Sequence, residues 1–334
     1  SFASHSWWFQ GPYYVGLEDD YDMGLKFDLN LVENLDLSVA YYRQAEPQGP
    51  ASGGVNWGGP GAGRYSYDLT SGNTYSNDVY THGNYEGDDY TGVDTTYNES
   101  LRELNQFNIR AAYHITENIE LGGSFQVGQN YNDYLDSYEW STAYAGHVVA
   151  NFGNFNFKGE VVGYDYAAKG AEEIIEYDNG DVQNTIVNEY DLETVQMGAY
   201  GFNYGVAKKS MMYVAGLAYN IDVEWGPISN IQPYVDFTLI DKANKDFEDT
   251  YHLIPGFLVS AGPIYAYFDF AMGKNQPWLT DDFGVGLGQG RTYDMGADPD
   301  MDYYTEDPDL QGEPVPVDDL SWNTRFNINI GYYF

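Results

Sequence analysis

The sequence predicts an all-β protein, a transmembrane antiparallel up-and-down β-barrel of about 14 to 16 strands with long extracellular loops. Three observations carry that expectation. Segments of about ten residues alternate apolar and polar side chains, the length and pattern of a strand that crosses a bilayer at a tilt. Short turns alternate with long connections. The composition is rich in Gly and Tyr and free of Cys, with 38 Gly, 34 Tyr and 0 Cys in 334 residues. Mean hydropathy is −0.49, and no run approaches the roughly 18 apolar residues of a membrane helix. A strand that shows lipid only every second residue averages polar, so low hydropathy is compatible with a membrane barrel.

The strands follow in order. In DMGLKFDLN, Met23, Leu25, Phe27 and Leu29 share one face, with Lys26 and Asp28 opposite. After the turn LVEN, Leu35, Leu37, Val39 and Tyr41 continue the pattern. NQFNIRAAYH sets Phe107, Ile109, Ala111 and Tyr113 against Gln106, Asn108, Arg110 and His114. Past ITEN, Ile119, Leu121, Phe125 and Val127 oppose Glu120, Ser124 and Gln126. YAGHVVANF and NFKGEVVGY flank Gly153, and GVAKKS separates VQMGAYGFNY from MMYVAGLAYN. IQPYVDFTLI opposes Ile231, Val235, Phe237 and Leu239 to Gln232, Asp236 and Thr238. HLIPGFLVS and IYAYFDFAMG meet at Gly262 and Pro263. The last segment, RFNINIGYYF, puts Phe326, Ile328, Ile330, Tyr332 and Phe334 on one face. Strict period-2 alternation marks each as a half-buried strand. About 12 or 13 strands are identified in this way. Pro233 and Pro255 interrupt two of them, at a cost anywhere but an edge or bulge.

The long connections run from Gln44 to Asn98, around Ala167 to Tyr190, and from Lys274 to Leu320. Unequal connections of this kind fit a barrel with short turns at one end and loops at the other. Strand parity does not close on this count. A further strand is expected in the acidic stretch EEIIEYDNGDVQNTIVNEYD, and the opening SFASHSWWFQGPYYVGLEDDYD reads as a loop. Residues 1–334 are expected to form one barrel domain, with further strands before Ser1. The chain has no signal segment and no initiator Met, which is expected of a processed mature chain or part of one.

Charge and motifs narrow the function. Asp and Glu number 51 against 14 Lys and Arg, a formal charge of −37, so nucleic acid phosphate is repelled. Absent cysteines remove thiolate chemistry. His5, His82, His114, His147 and His252 have no metal-ligand spacing, and there is no nucleophile elbow or P-loop, so no enzyme is expected. DPDMDYYTEDPD sets Asp298, Asp300, Asp302, Glu306 and Asp309 at positions 1, 3, 5, 9 and 12 of a calcium-loop spacing. The usual Gly at position 6 is Tyr303. A solvated acidic loop is the competing reading. A calcium ion there would relieve self-repulsion and bridge to lipopolysaccharide phosphates; no other cofactor is expected.

The terminal NINIGYYF is similar to the last strand of Gram-negative outer-membrane porins. GLEDDYDMGLKFDL and GPIYAYFDFAMGKNQPWL resemble more narrowly the diverse porins related to the phosphate-selective group. The resemblance implies a bacterial outer-membrane location, a homotrimer, and recognition of Phe334 by the barrel-assembly machinery. It sets the Phe326-to-Phe334 face against lipid, with Tyr332 and Phe334 in the periplasmic aromatic girdle. One departure is clear. Anion-selective members line their pores with Arg and Lys, whereas the polar faces here carry Lys26, Arg110, Lys158 and Arg325 beside Asp22, Asp28, Glu120, Glu160, Asp236 and Asp269. Phosphate specificity is therefore not carried over.

The expected function is a porin for passive diffusion of small hydrophilic solutes with modest cation preference. Its candidate pore-lining residues are Lys26, Arg110, Lys158, Arg325, Glu120, Glu160, Asp236 and Asp269. A channel specific for sugars or small anions such as phosphate is one alternative, and a non-conducting acidic adhesion barrel is another. The Tyr- and Gly-rich loop GGPGAGRYSYDLTSGNTYSNDVYTHGNYEGDDYTG suits a constriction, a sugar-stacking surface or a trimer contact.

Overall fold

The computed structural model describes residues 4–8, 10–18, 22–44, 68–69, 75–77, 92–98, 101–132, 134–178, 181–199, 202–276, 279 and 322–333. One helical turn, α1 (Gly11–Tyr14), precedes the strands. These are β1 (Met23–Val32), β2 (Leu35–Gln44), β3 (Asp68–Leu69), β4 (Tyr75–Asn77), β5 (Gly92–Asn98), β6 (Leu101–Thr116) and β7 (Ile119–Asn132). Next come β8 (Ser137–Phe152), β9 (Phe155–Asp165), β10 (Lys169–Asp178), β11 (Asp181–Asp191), β12 (Thr194–Ala199) and β13 (Phe202–Ala207). The last are β14 (Lys209–Tyr219), β15 (Ile221–Trp225), β16 (Ile228–Lys242), β17 (Thr250–Ala261), β18 (Ile264–Lys274) and β19 (Asn323–Tyr332).

The fold is an all-β up-and-down antiparallel barrel wall. Its order is β1-β2-β6-β7-β8-β9-β14-β16-β17-β18-β19, with β15 also on β16. Ala218 pairs with Tyr234 and Ile221 with Ile231 in one register, so β14 and β15 are one long strand interrupted at Asn220. Among the described residues, the wall therefore has eleven positions. Fewer strands cross, among the described residues, than the alternation predicts, for a local reason. VQMGAYGFNY divides into the hairpin β12–β13, which pairs with β3 away from the wall. The acidic stretch contributes not one strand but the hairpin β10–β11, in a second sheet with β5 and β4. β9 then pairs directly with β14, and the parity conflict disappears.

Five two-residue turns now fall at one end: Glu33-Asn34, Glu117-Asn118, Gly153-Asn154, Gly226-Pro227 and Gly262-Pro263. Gly153, Gly226 and Gly262 hold the first central position with φ of 58°, 61° and 59°. That is the type II′ requirement, and a side chain is disfavoured there. The described strand ends that lead into the long connections lie at the opposite end. There Lys169 reaches across sheets to Glu139, at 3.2 Å, and to Glu189. The hydrogen bonds it donates, first to Glu189 and then to Glu139, hold its ammonium above the usual lysine pKa.

Both prolines sit inside strands. Pro233 pairs with Phe257 and Pro255 with Val235. The β17–β18 ladder omits Ile254 and Pro255, the local gap expected where one residue has no N–H to donate.

The two faces of the wall differ sharply. Phe326, Ile328, Ile330 and Tyr332 are 56%, 52%, 69% and 64% exposed. Leu25, Phe27, Phe107, Ile109, Leu121, Phe125 and Phe270 are exposed on the same outer side. At the short-turn rim Phe152, Phe155, Tyr219 and Trp225 are exposed, with the Phe155 and Tyr219 rings 4.7 Å apart. At the other rim Tyr138, Trp140 and Tyr144 are exposed. At about 3.3 Å per residue, the stretch from Tyr144 to Phe152 covers about 26 Å along the strand, or about 20 Å along the barrel axis at a tilt of about 40°. Two aromatic rims thus bracket an aliphatic band.

The core lies inside the wall. Tyr13, Tyr14 and Val15 pack with Tyr164, Met212 and Ile240 from the inner faces of β9, β14 and β16. Val195, Met197 and Tyr204 of the β12–β13 hairpin close over them from the long-connection end.

Candidate functional site

The inner face of β16 presents Asp236, Thr238 and Ile240 in line, as period 2 requires. The N-terminal segment runs along this row. Asp236 is fully buried and accepts three hydrogen bonds: from the His5 backbone N–H at 2.9 Å, the His5 ring Nδ1 at 2.9 Å and the Ser6 N–H at 2.8 Å. His5 Nε2 lies 2.6 Å from Asn156 Oδ1 on β9. Two residues along β16, Thr238 donates to Gln10 Oε1 and accepts from the Gly11 N–H at 3.2 Å. Further along, the hydroxyls of Tyr204 and Tyr166 donate to the carbonyls of Tyr14 and Val15. Trp8 packs on Ile254, Ala271 and Leu279. The opening segment, read from sequence as a loop, is therefore a plug inside the barrel. Its signal was present in HSWWFQGPYYVG, which is dense in aromatics but lacks period 2, the mark of a segment that is buried without being a strand.

Gly216, the β14 ladder partner of Asp236, makes room for the latch. A Cβ there would stand 2.6 Å from Asp236 Oδ1 and 2.8 Å from His5 Nδ1. Gly216→Ala is therefore expected to loosen the plug at an overpacking cost of about 1–3 kcal/mol. Faster protease cleavage within residues 4–18 checks this; unchanged cleavage would mean that the latch tolerates the methyl group.

Beside the plug lies a cavity of about 460 Å³, whose lining includes Glu18, Lys26, Gln106, Arg110, Ser124 and Glu160. Its charges are organised across neighbouring strands. Lys26 Nζ is 3.2 Å from Asp28, which also accepts from Ser38 at 2.5 Å. Arg110 Nη2 is 3.0 Å from Glu120 Oε1, and His147 Nε2 is 2.8 Å from the same oxygen. His114 lies 2.9 Å from Asp36 and 3.8 Å from Glu120 Oε2. Glu120 thus joins side chains of β6, β7 and β8.

Lys26, Arg110, Lys158, Arg325, Glu120, Glu160, Asp236 and Asp269 all fall on the inner side of the ladder, opposite the exposed apolar row. Glu120, Val149, Lys158, Gly216, Asp236 and Ile254 are successive ladder partners. Opposite charges on this rung sit two strands apart, about 10 Å. Lys158 lies in the fields of Asp236 and Glu18. Arg325 pairs with Ala271 farther round the wall and is exposed on the inner face. Asp269 accepts from the Tyr234 hydroxyl at 2.5 Å and from Asn327 at 3.1 Å, partners that sequence reading did not identify. Asp298, Asp300, Asp302, Glu306, Asp309 and Phe334 lie outside the described residues, as does most of the Tyr- and Gly-rich loop. Among the described residues, no group of three His, Asp or Glu is placed to hold a metal.

The class defined by this geometry is an all-β antiparallel barrel wall with an apolar exterior and a charged interior. No family model matches the chain, and no curated protein matches it. Among solved structures it is similar to the crystal structure of the outer membrane channel DcaP of Acinetobacter baumannii, at 9% identity and a TM-score of 0.34. That likeness covers 75% of this chain and 78% of the other.

Proposed function

We propose that the chain is an outer-membrane channel for small hydrophilic solutes, with a preference for cations and a lumen narrowed by its own N-terminal segment. The observation that carries this reading is the division of each wall strand into an exposed apolar row and an inner polar row. An apolar band between two aromatic rims is the arrangement of the lipid-facing exterior of membrane barrels. The inner row matches a water-filled interior. Bilayer insertion places the short turns on the periplasmic side and the acidic connections outside.

The charge preference follows from the pairing. Lys26 is matched by Asp28 and Arg110 by Glu120, while Glu18, Asp22 and Glu160 also border the cavity. The cavity therefore has an excess of carboxylates, and with a chain charge of −37 the mouth concentrates cations. Planar-bilayer recordings of the detergent-purified protein under a KCl gradient test the reading. The expected result is stepwise conductance with a cation-selective reversal potential, with steps in threes if the assembly is the homotrimer. Anion selectivity would overturn the charge argument and favour a channel for small anions. Absence of conductance from folded protein would favour the adhesive barrel. Selectivity is expected to decline between about 0.1 and 1 M salt, as the screening length falls from about 10 to 3 Å.

A further inference from the structure

Three buried polar atoms that no described residue satisfies belong to side chains of the same cavity: Glu160 Oε1, Arg110 Nε and Ser124 Oγ. Glu160 is 5% exposed and sits beside Val162 and Val214, which are 4% and 6% exposed. A buried carboxylate oxygen left without a hydrogen bond is costly, and a cationic donor would remove much of that cost. Of the nearby bases, Arg110 acts on Glu160 through its field, and His147, the ladder partner of Glu160 on β8, is hydrogen-bonded through Nε2 to Glu120. The Arg110 Nη2 group is bound to Glu120, and Lys158 faces Asp236 and Glu18.

The other two atoms stand together. Arg110 and Ser124 are ladder partners on β6 and β7, and the rung continues through Ala145 on β8 to Val162 on β9. Glu160 is two residues from Val162 on the same inner face. Ser124 and Glu160 are thus two strands apart and two residues out of register, about 12 Å at the backbone, and Arg110 lies one strand farther, about 16 Å from Glu160. The length of the Arg and Glu side chains reduces that to the span of a short solute. The cavity volume of about 460 Å³ is within the roughly 300–1,000 Å³ range of small-molecule sites.

We propose that this cavity binds a small amino-acid-like zwitterion, its ammonium on Glu160 and its carboxylate on Arg110 Nε–H and the Ser124 hydroxyl. The ammonium donates to Glu160 Oε1, the buried oxygen that no described residue hydrogen-bonds. The guanidinium N–H and the hydroxyl then donate to the solute's own carboxylate. Opposed recognition of two charges distinguishes this solute from a simple cation, which engages only one end. The proposal rests on the channel reading, because a solute reaches the cavity through the lumen.

Calorimetry on the detergent-solubilised protein with β-alanine, propylammonium and propionate tests it. The expected order on the unmodified chain is β-alanine tightest and propionate weakest. Glu160→Gln should weaken β-alanine by at least about tenfold, as expected for losing a hydrogen bond to a charged group. Ser124→Ala should weaken β-alanine while leaving propylammonium unchanged. Equal β-alanine affinity in Glu160→Gln, or propionate binding as tightly as β-alanine, would overturn the proposal. The comparison of the three probes on the unmodified chain stands even if a variant fails to fold. Bilayer recordings separate this inference from the function it rests on. A protein that binds β-alanine in this pattern but passes no current keeps the site and loses the channel. One that conducts but binds no β-alanine keeps the channel and loses the site.

Discussion

Asp236→Ala should release the N-terminal segment, raising single-channel conductance and opening residues 4–18 to proteolysis. The variant strands two backbone N–H groups and one imidazole nitrogen that share one buried carboxylate. Removing one partner of a buried charged network costs about 3–5 kcal/mol. Even about 3 kcal/mol shifts a two-state equilibrium by more than about a hundredfold. Asp236→Asn keeps an oxygen acceptor and should fall between the unmodified chain and the alanine variant. Limited proteolysis reports the segment and conductance reports the lumen, so the two readouts must move together. If cleavage rises while conductance stays constant, the plug does not obstruct the conducting path. If neither changes, the aromatic packing of Tyr13, Tyr14 and Val15 holds the segment without the latch.

Ile328→Arg should destabilise the folded protein in lipid by about 2–4 kcal/mol, the penalty for a cation near the bilayer midplane on a barrel exterior. Ile328 lies in the middle of β19, is 52% exposed and pairs with Phe268. Its neighbour Asn329 faces the opposite way, so Asn329→Arg should change stability little. Denaturant unfolding from lipid vesicles measures both. A soluble protein would accept arginine at an exposed position with almost no loss. Equal small effects at the two sites would therefore remove the lipid-facing assignment, and equal large effects would mean that β19 is buried on both sides.

The outer face was legible in the sequence because the pleat permits only two directions. Once Phe326, Ile328 and Ile330 are seen to alternate, the direction of Arg325 and Asn327 follows. The same rule assigned Lys26, Arg110 and Asp236 to the interior. The number of wall strands was not legible. VQMGAYGFNY has the length and alternation of a crossing strand, and only pairing with β3 removes it from the wall. Local pattern fixes the periodicity of a segment, while tertiary contacts decide its neighbour. The latch was equally hidden: His5 and Asp236 are 231 residues apart, and no spacing rule connects them. Pro255 was legible as a disturbance but not as a tolerated one, since the ladder accommodates it with a two-residue gap.

The path of the N-terminal segment carries one more consequence. It climbs β16 from Asp236 toward Ile240 and connects within a few residues to β1, which begins at the long-connection end. The plug is thus an intramolecular ligand on a short leash. A tether of so few residues sustains an effective concentration on the order of millimolar. A free peptide copying residues 4–18 would need a similar concentration to compete. An unlatched plug therefore keeps returning to the lumen, and weakening its contacts changes the fraction of time the passage is occupied without freeing the segment from the barrel.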